Sequence, residues 1–115
     1  MNTPAHIIIE TVCKVTENTP KTLMVRTHHI KLVYTRFLCY ELLMYYSKLN
    51  TYRLAELFQR QDASVKSGVK TINKINASRR KTPNEQMYHD WKQEALDVIK
   101  KYNFNHNNTK MDKID

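Results

Sequence analysis

A single glycine, Gly68, stands in a chain of 115 residues, and only three prolines accompany it. An all-β fold needs many tight turns, and a phosphate-cradling loop needs several glycines at fixed offsets, so this count argues against both. What remains is a helical protein. At this length one domain is expected, with a modest core that forms without metal or disulfide help.

Three threonine–proline pairs punctuate the chain: Thr3-Pro4, Thr19-Pro20 and Thr82-Pro83. Threonine can accept from the free amides of a first helical turn, and proline at the first helical position loses only a donor that had no partner. Glu85 adds a capping box to the third pair. The first helix is therefore expected from about Ala5 to Val15, with Ile8, Ile9, Val12 and Cys13 inward, and a short turn follows Pro20. From about Thr27 to Ser47, Ile30, Val33, Phe37, Leu38, Met44 and Tyr45 keep helical spacing, while Leu32, Leu42 and Leu43 fill the other side. A helix apolar nearly all round is a central one. Glu41, on that apolar side, is expected to form a structural ion pair.

Asn50 or Thr51 can cap a short helix with Leu54, Leu57 and Phe58 inward, ending near Gln61-Asp62. Ser64 can cap the next, whose inward face is Val65, Val69, Ile72 and Ile75 and whose outer face is Lys66, Ser67, Lys70, Thr71 and Lys74. The last helix, about Pro83 to Tyr102, aligns Met87, Trp91, Ala95, Val98 and Tyr102, so Trp91 is placed in the core. Residues 1–102 thus form one all-α bundle of about five to six helices. Residues 103–115 lack periodicity and are expected to be a disordered polar tail.

Cys13 and Cys39 have no partner at metal-ligand spacing and read as small buried hydrophobes. The start, MNTPAHIIIE, has no basic n-region and an apolar run of only three isoleucines, so a cytoplasmic protein without a membrane anchor is expected. His28 and His29 have no further ligand spaced for a metal. His89 and Asp90 are adjacent on a helix and point apart, and no nucleophile and base are suitably spaced, so neither a cofactor nor an enzyme is expected.

The formal charge is +8, and it is unevenly placed. Arg60, Lys66, Lys70, Lys74, Arg79, Arg80 and Lys81 face the single acid Asp62, which puts a net +6 of the +8 into residues 60–81. Two short helices near residues 50–77, the second basic and hydroxylated on its outer face, form a helix-turn-helix pattern. A lysine stripe is ordinarily a solvated helix face. This one is set apart by the lack of acids beyond Ser64 for i,i+4 pairing and by Arg79-Arg80-Lys81 beyond its end. Duplex DNA is the partner such a track suits, because neutralising phosphates releases counterions. Ser64, Lys66, Ser67, Lys70, Thr71 and Lys74 are the candidate groove-facing residues, flanked by Arg60, Gln61, Arg79 and Arg80. Arg26, His28, His29 and Lys31 form a second small basic site. Gly68, inside the second helix, costs about 1 kcal/mol against alanine, which close approach to DNA or to the preceding helix could offset.

The stretches VCKVTENTPKTLM, TRFLCYEL and YRLAELFQRQDASVKSGVKTINKI together resemble the C-terminal DNA-binding domain of the bacterial replication initiator DnaA, over about Ile8 to Ile75. That resemblance implies a Trp-repressor-like fold. The family's recognition segment runs arginine-aspartate-histidine-threonine-threonine-valine and then an amphipathic helix. Gln61-Asp62 takes the place of the arginine-aspartate pair, and Val65-Lys66-Ser67 stands for the trio if the turn holds two extra residues. Arg26, His28, His29 and Lys31 fall near the family's basic loop. No phosphate-binding loop precedes this segment, so the resemblance implies a stand-alone, nucleoid-associated relative from a bacterium, phage or mobile element. A protein-interaction module that kept the fold and lost its DNA face is the alternative.

Overall fold

The computed structural model describes residues 2–27 and 29–114, with side chains described through residue 106. Every regular element described is helical: α1 (Ala5–Thr16), α2 (Pro20–Leu23), α3 (Ile30–Tyr46), α4 (Thr51–Leu57), α5 (Asp62–Ala77) and α6 (Pro83–Ile114). Among the described residues the fold is an all-α bundle of six helices, within the five to six expected from the sequence.

The central helix is α3, which packs against each of the other five. Its Leu38, Cys39, Tyr40, Leu42 and Leu43 are buried. They meet Ile8, Val12 and Cys13 of α1, Leu23 of α2, Leu54 of α4, Val65 and Ile72 of α5, and Tyr88, Ala95 and Ile99 of α6 in one cluster. Side chains that remove this much apolar surface from water are what hold a domain of this size together. Ile30 and Tyr45, expected on the inward stripe, are instead 42% and 66% exposed. Both cysteines are free and buried, and burial raises their thiols above the ordinary range.

Two of the three threonine–proline pairs cap helices. Thr19 Oγ1 accepts from the Thr22 amide at 3.2 Å. Thr82 accepts from the Glu85 amide at 3.2 Å while its own amide donates to Glu85 Oε1 at 3.0 Å, the reciprocal pair of a capping box. Thr3 is different, because Pro4 occupies the cap position of α1 and no side-chain cap bond forms. Thr3 is buried and serves as a three-way tie. Its amide donates to the Tyr46 carbonyl at 2.8 Å, its carbonyl accepts from Ser47 Oγ at 2.7 Å, and its hydroxyl donates to Asn103 Oδ1 at 2.9 Å.

That last bond also corrects the expected end of the final helix. Tyr102 does not terminate it; α6 continues to Ile114, and Asn103 is in contact with the chain's beginning. The side chains of 107–115 lie outside the described residues. The inward register of α6 differs as well: Tyr88, Ala95 and Ile99 are fully buried, whereas Trp91 is only half-buried and Val98 is 47% exposed. Tyr88 shares the inner face with Lys92, whose ammonium lies 3.1 Å from Glu41 Oε2. The ion pair expected for Glu41 therefore exists, and it selects the helix face that turns inward.

Candidate nucleic-acid interface

Helices α4 and α5 are joined by a tight turn built on short-range physics. Asn50 Oδ1 accepts from the Arg53 amide at 2.9 Å and starts α4. At its end, Arg60 N–H reaches the Ala55 carbonyl at 2.8 Å and Gln59 N–H reaches that of Glu56 at 3.3 Å. This double bond pattern closes a helix through a left-handed residue, here Gln59 with φ 53°. Phe58, buried in the turn, stands edge-on to Tyr40 with ring centroids 5.1 Å apart.

After a turn of four residues, α5 begins at Asp62. Ser64, expected as its cap, is an exposed residue inside the first turn. Gln61 holds the cap position without a side-chain bond. The earlier start brings Asp62 into the helix, where it pairs with Lys66 at 3.0 Å. The i,i+4 pairing that the sequence seemed to lack is thus present at one position. The Lys66 ammonium and then the Thr51 hydroxyl hold the Asp62 carboxyl below the usual carboxylate range, and a carboxylate in the first turn also suits the positive end of the helix dipole.

Inward from α5 point Val65, Gly68, Ile72 and Ile75. Val65 is fully buried, so Val65-Lys66-Ser67 cannot present three adjacent side chains to a groove. Gly68 faces α3: a Cβ there would stand 2.9 Å from Phe37 Cε1. Of the two close approaches considered for this glycine, neither DNA nor the preceding helix accounts for it. Outward point Ser64, Lys66, Ser67, Lys70 and Lys74, all exposed, with Thr71 half-buried and donating to the Ser67 carbonyl at 3.3 Å.

The basic loop before α3 is brought to the same end of α5. Arg26, His29 and Lys31 are exposed, and His28 lies outside the described residues. The organiser is Arg36, 5% exposed, whose guanidinium donates to the carbonyls of Val25 and Thr27 at 3.0 Å each and of Leu23 at 3.5 Å. Arg60 donates to the Val25 carbonyl too, at 3.2 Å. Arg26, Arg60, Gln61 and Ser64 then line one cleft of about 380 Å³ together with Arg36 and Gln59. Burial and the neighbouring Arg60 charge lower the Arg36 pKa from its ordinary value. Sequence reasoning overlooked Arg36. Its signal was available, since an arginine on a helix apolar nearly all round must find carbonyl or carboxylate partners.

Arg79 and Arg80 are exposed but lie past the other end of α5, roughly 20 Å along the helix from Ser64 at its rise per residue. The positive surface therefore has two ends joined by the lysine face. Lys81 is occupied in the fold, donating to the Ile75 carbonyl at 2.7 Å.

No protein-family model, curated protein or solved structure matches this chain.

A second cavity of about 590 Å³ lies between α3, α5 and α6, floored by Leu42, Met44, Val69, Ile72 and Leu96 and rimmed by Glu41, Lys92 and Lys100. At its edge Glu41 accepts from Tyr88 at 2.6 Å, Lys92 at 3.1 Å and Asn76 at 3.3 Å. Among the described residues no cluster of histidine, cysteine and carboxylate could hold a metal ion. None of the described helices is long and apolar enough to cross a membrane.

Proposed function

We propose that this protein binds duplex DNA with α5 in the major groove and the basic segment leading into α3 against the adjacent backbone. The observation that carries the reading is the two-sided character of α5. Its inner face is sealed on α3, and its outer face exposes Ser64, Lys66, Ser67, Lys70 and Lys74 in one stripe. A helix anchored on one side and basic on the other is what groove docking needs, since phosphate contacts position and hydroxyl or amide contacts specify. The cleft that joins Arg26 and Arg60 to Ser64 extends the cationic surface from the helix to the loop.

The start of α5 at Asp62 also bears on the resemblance to the DnaA C-terminal domain. No extra turn residues are needed: Arg60-Gln61-Asp62-Ala63-Ser64-Val65 takes the family's six-residue pattern from its arginine to its valine. Within the trio only Ser64 keeps a hydroxyl, so the base preference of this protein is its own. A nucleoid-associated protein of a bacterium, phage or mobile element is the setting this reading implies.

One observation favours the alternative, an interaction module. The apolar cavity between α3, α5 and α6 opens beside the exposed ring of Tyr45. Selection from a random duplex library, with sequencing of the retained DNA, separates the two. DNA binding predicts retention that falls steeply with salt, with a log–log slope of roughly −3 to −6 from the cations on this surface. Replacing Lys74 should weaken all sequences alike, and replacing Ser64 or Ser67 should alter the enriched motif. A salt-independent interaction, or none, removes the reading and leaves the module.

A further inference from the structure

Two guanidinium groups converge on one oxygen. Arg36 Nη1 and Arg60 Nη2 both donate to the Val25 carbonyl, at 3.0 and 3.2 Å. Like charges brought this close repel each other, and a single neutral carbonyl offsets only part of that repulsion. Folded proteins ordinarily place a carboxylate between such a pair. Here none does so. The ion pairs among the described residues are Arg53–Glu56, Lys66–Asp62 and Lys92–Glu41, and no acid lines the cleft into which both arginines face. A third arginine, Arg26, lines the same cleft, with Gln59, Gln61 and Ser64 supplying neutral donors.

From this juxtaposition we infer that the cleft between the 25–27 loop and the α4–α5 turn is a discrete binding site for a phosphate-type oxyanion. Guanidinium groups suit such a ligand because their planar donor forks match its oxygens. Arg36 is held by its carbonyl partners, so it contributes fixed charge and shape. Arg60, half-buried and tied by one hydrogen bond, and Arg26, exposed, are the groups that swing onto the ligand. The occupant is either a backbone phosphate of bound nucleic acid, in which case the site deepens the reading above and rests on it, or a free phosphate group.

The test follows the side-chain Nε–Hε resonances of the arginines in the full chain while inorganic phosphate is added, with sodium chloride at matched ionic strength as reference. Saturable shifts at Arg36 and Arg60 with phosphate but not chloride are expected. They should weaken at least fivefold, about 1 kcal/mol in affinity, in Arg60→Gln and stay unchanged in Lys14→Gln, an exposed cation on α1. Shifts that are linear, or equal for chloride and phosphate, overturn the site. A duplex oligonucleotide is then added. If it displaces phosphate from the cleft, the occupant is a backbone phosphate. If phosphate binds and the duplex neither displaces it nor binds elsewhere on the chain, the site stands with a free phosphate as its ligand and the DNA reading fails alone; if the duplex binds without displacing phosphate, both stand separately. If the duplex binds equally well to Arg60→Gln and phosphate produces no saturable shift, the site fails and DNA binding stands.

Discussion

Tyr88 and Glu41, 47 positions apart in sequence, meet through a 2.6 Å hydrogen bond from the phenol to the carboxylate. The ring behind that hydroxyl is fully buried, so the bond fastens α6 to α3 at the point where Lys92 and Asn76 also reach the same carboxylate. Replacing Tyr88 with phenylalanine keeps the packing and removes one donor from a partly buried anion. A loss of about 1 to 2 kcal/mol in urea unfolding is expected. An unchanged midpoint would mean that water takes over the vacant position at no cost.

The same tyrosine shapes the alkaline limit. Burial first, and then the Glu41 charge, push its hydroxyl well above the ordinary tyrosine value; burial also raises Tyr40, Tyr46 and Cys39. In each case the native state holds the proton more tightly than the unfolded chain. Their contribution is complete below the unfolded pKa values and is lost as the pH rises through them. Unfolding midpoints taken from about pH 8 to about pH 11 should therefore fall, and Tyr88→Phe should fall less steeply than the parent.

Ile99 and Trp91 exchange the ranks that sequence spacing assigns to the last helix. Ile99 is fully buried and Trp91 is half-buried against the core. Ile99→Ala should cost about 2 to 5 kcal/mol, and Trp91→Ala roughly half of the 3 to 5 kcal/mol typical of a wholly buried aromatic. Denaturant melts of the two variants decide it, and a larger loss at Trp91 would contradict the register of α6.

Gly68 should tolerate no branched side chain. Valine there would drive its Cβ into the 2.9 Å space before Phe37 Cε1, for a loss of about 1 to 3 kcal/mol. Adding Phe37→Leu opens that space, so the double variant should recover part of the loss in a double-mutant cycle. Strict additivity of the two substitutions would show that the contact is not the cause.

The helical class and the presence of two helices over residues 51–77 were legible because they rest on local signals: few turn residues, threonine and asparagine caps, and a strong apolar period in residues 65–75. The misreadings share one origin, which is that contacts distant in sequence overrode what the local pattern favoured. Ser64 is a better cap than Gln61 by propensity, but burial of Phe58 and Val65 fixes where the turn ends and overrides it. In α6 the stripe through Tyr88 carries Lys92 and so reads as less apolar than the stripe through Trp91, and nothing local reveals the distant Glu41 as the partner of Lys92 and Tyr88. Thr3 resembled a cap because nothing local reveals Ser47 and Asn103 as its partners. The cleft escaped notice for the same reason, since its arginines come from three separate segments.

Arg36 moors the 23–27 segment to the bundle through three carbonyls, and in that segment Val25 and Arg26 are exposed. Proteins open locally with free energies set by what each segment buries. Residues 25–27, beyond the buried Leu23, should therefore detach as a unit of their own, their amides exchanging with solvent through a route that leaves the α1–α3–α6 body closed. One side chain then governs how readily the cationic loop can be reshaped by whatever approaches it, and seating an anion beside Arg36 would turn that local adaptability down.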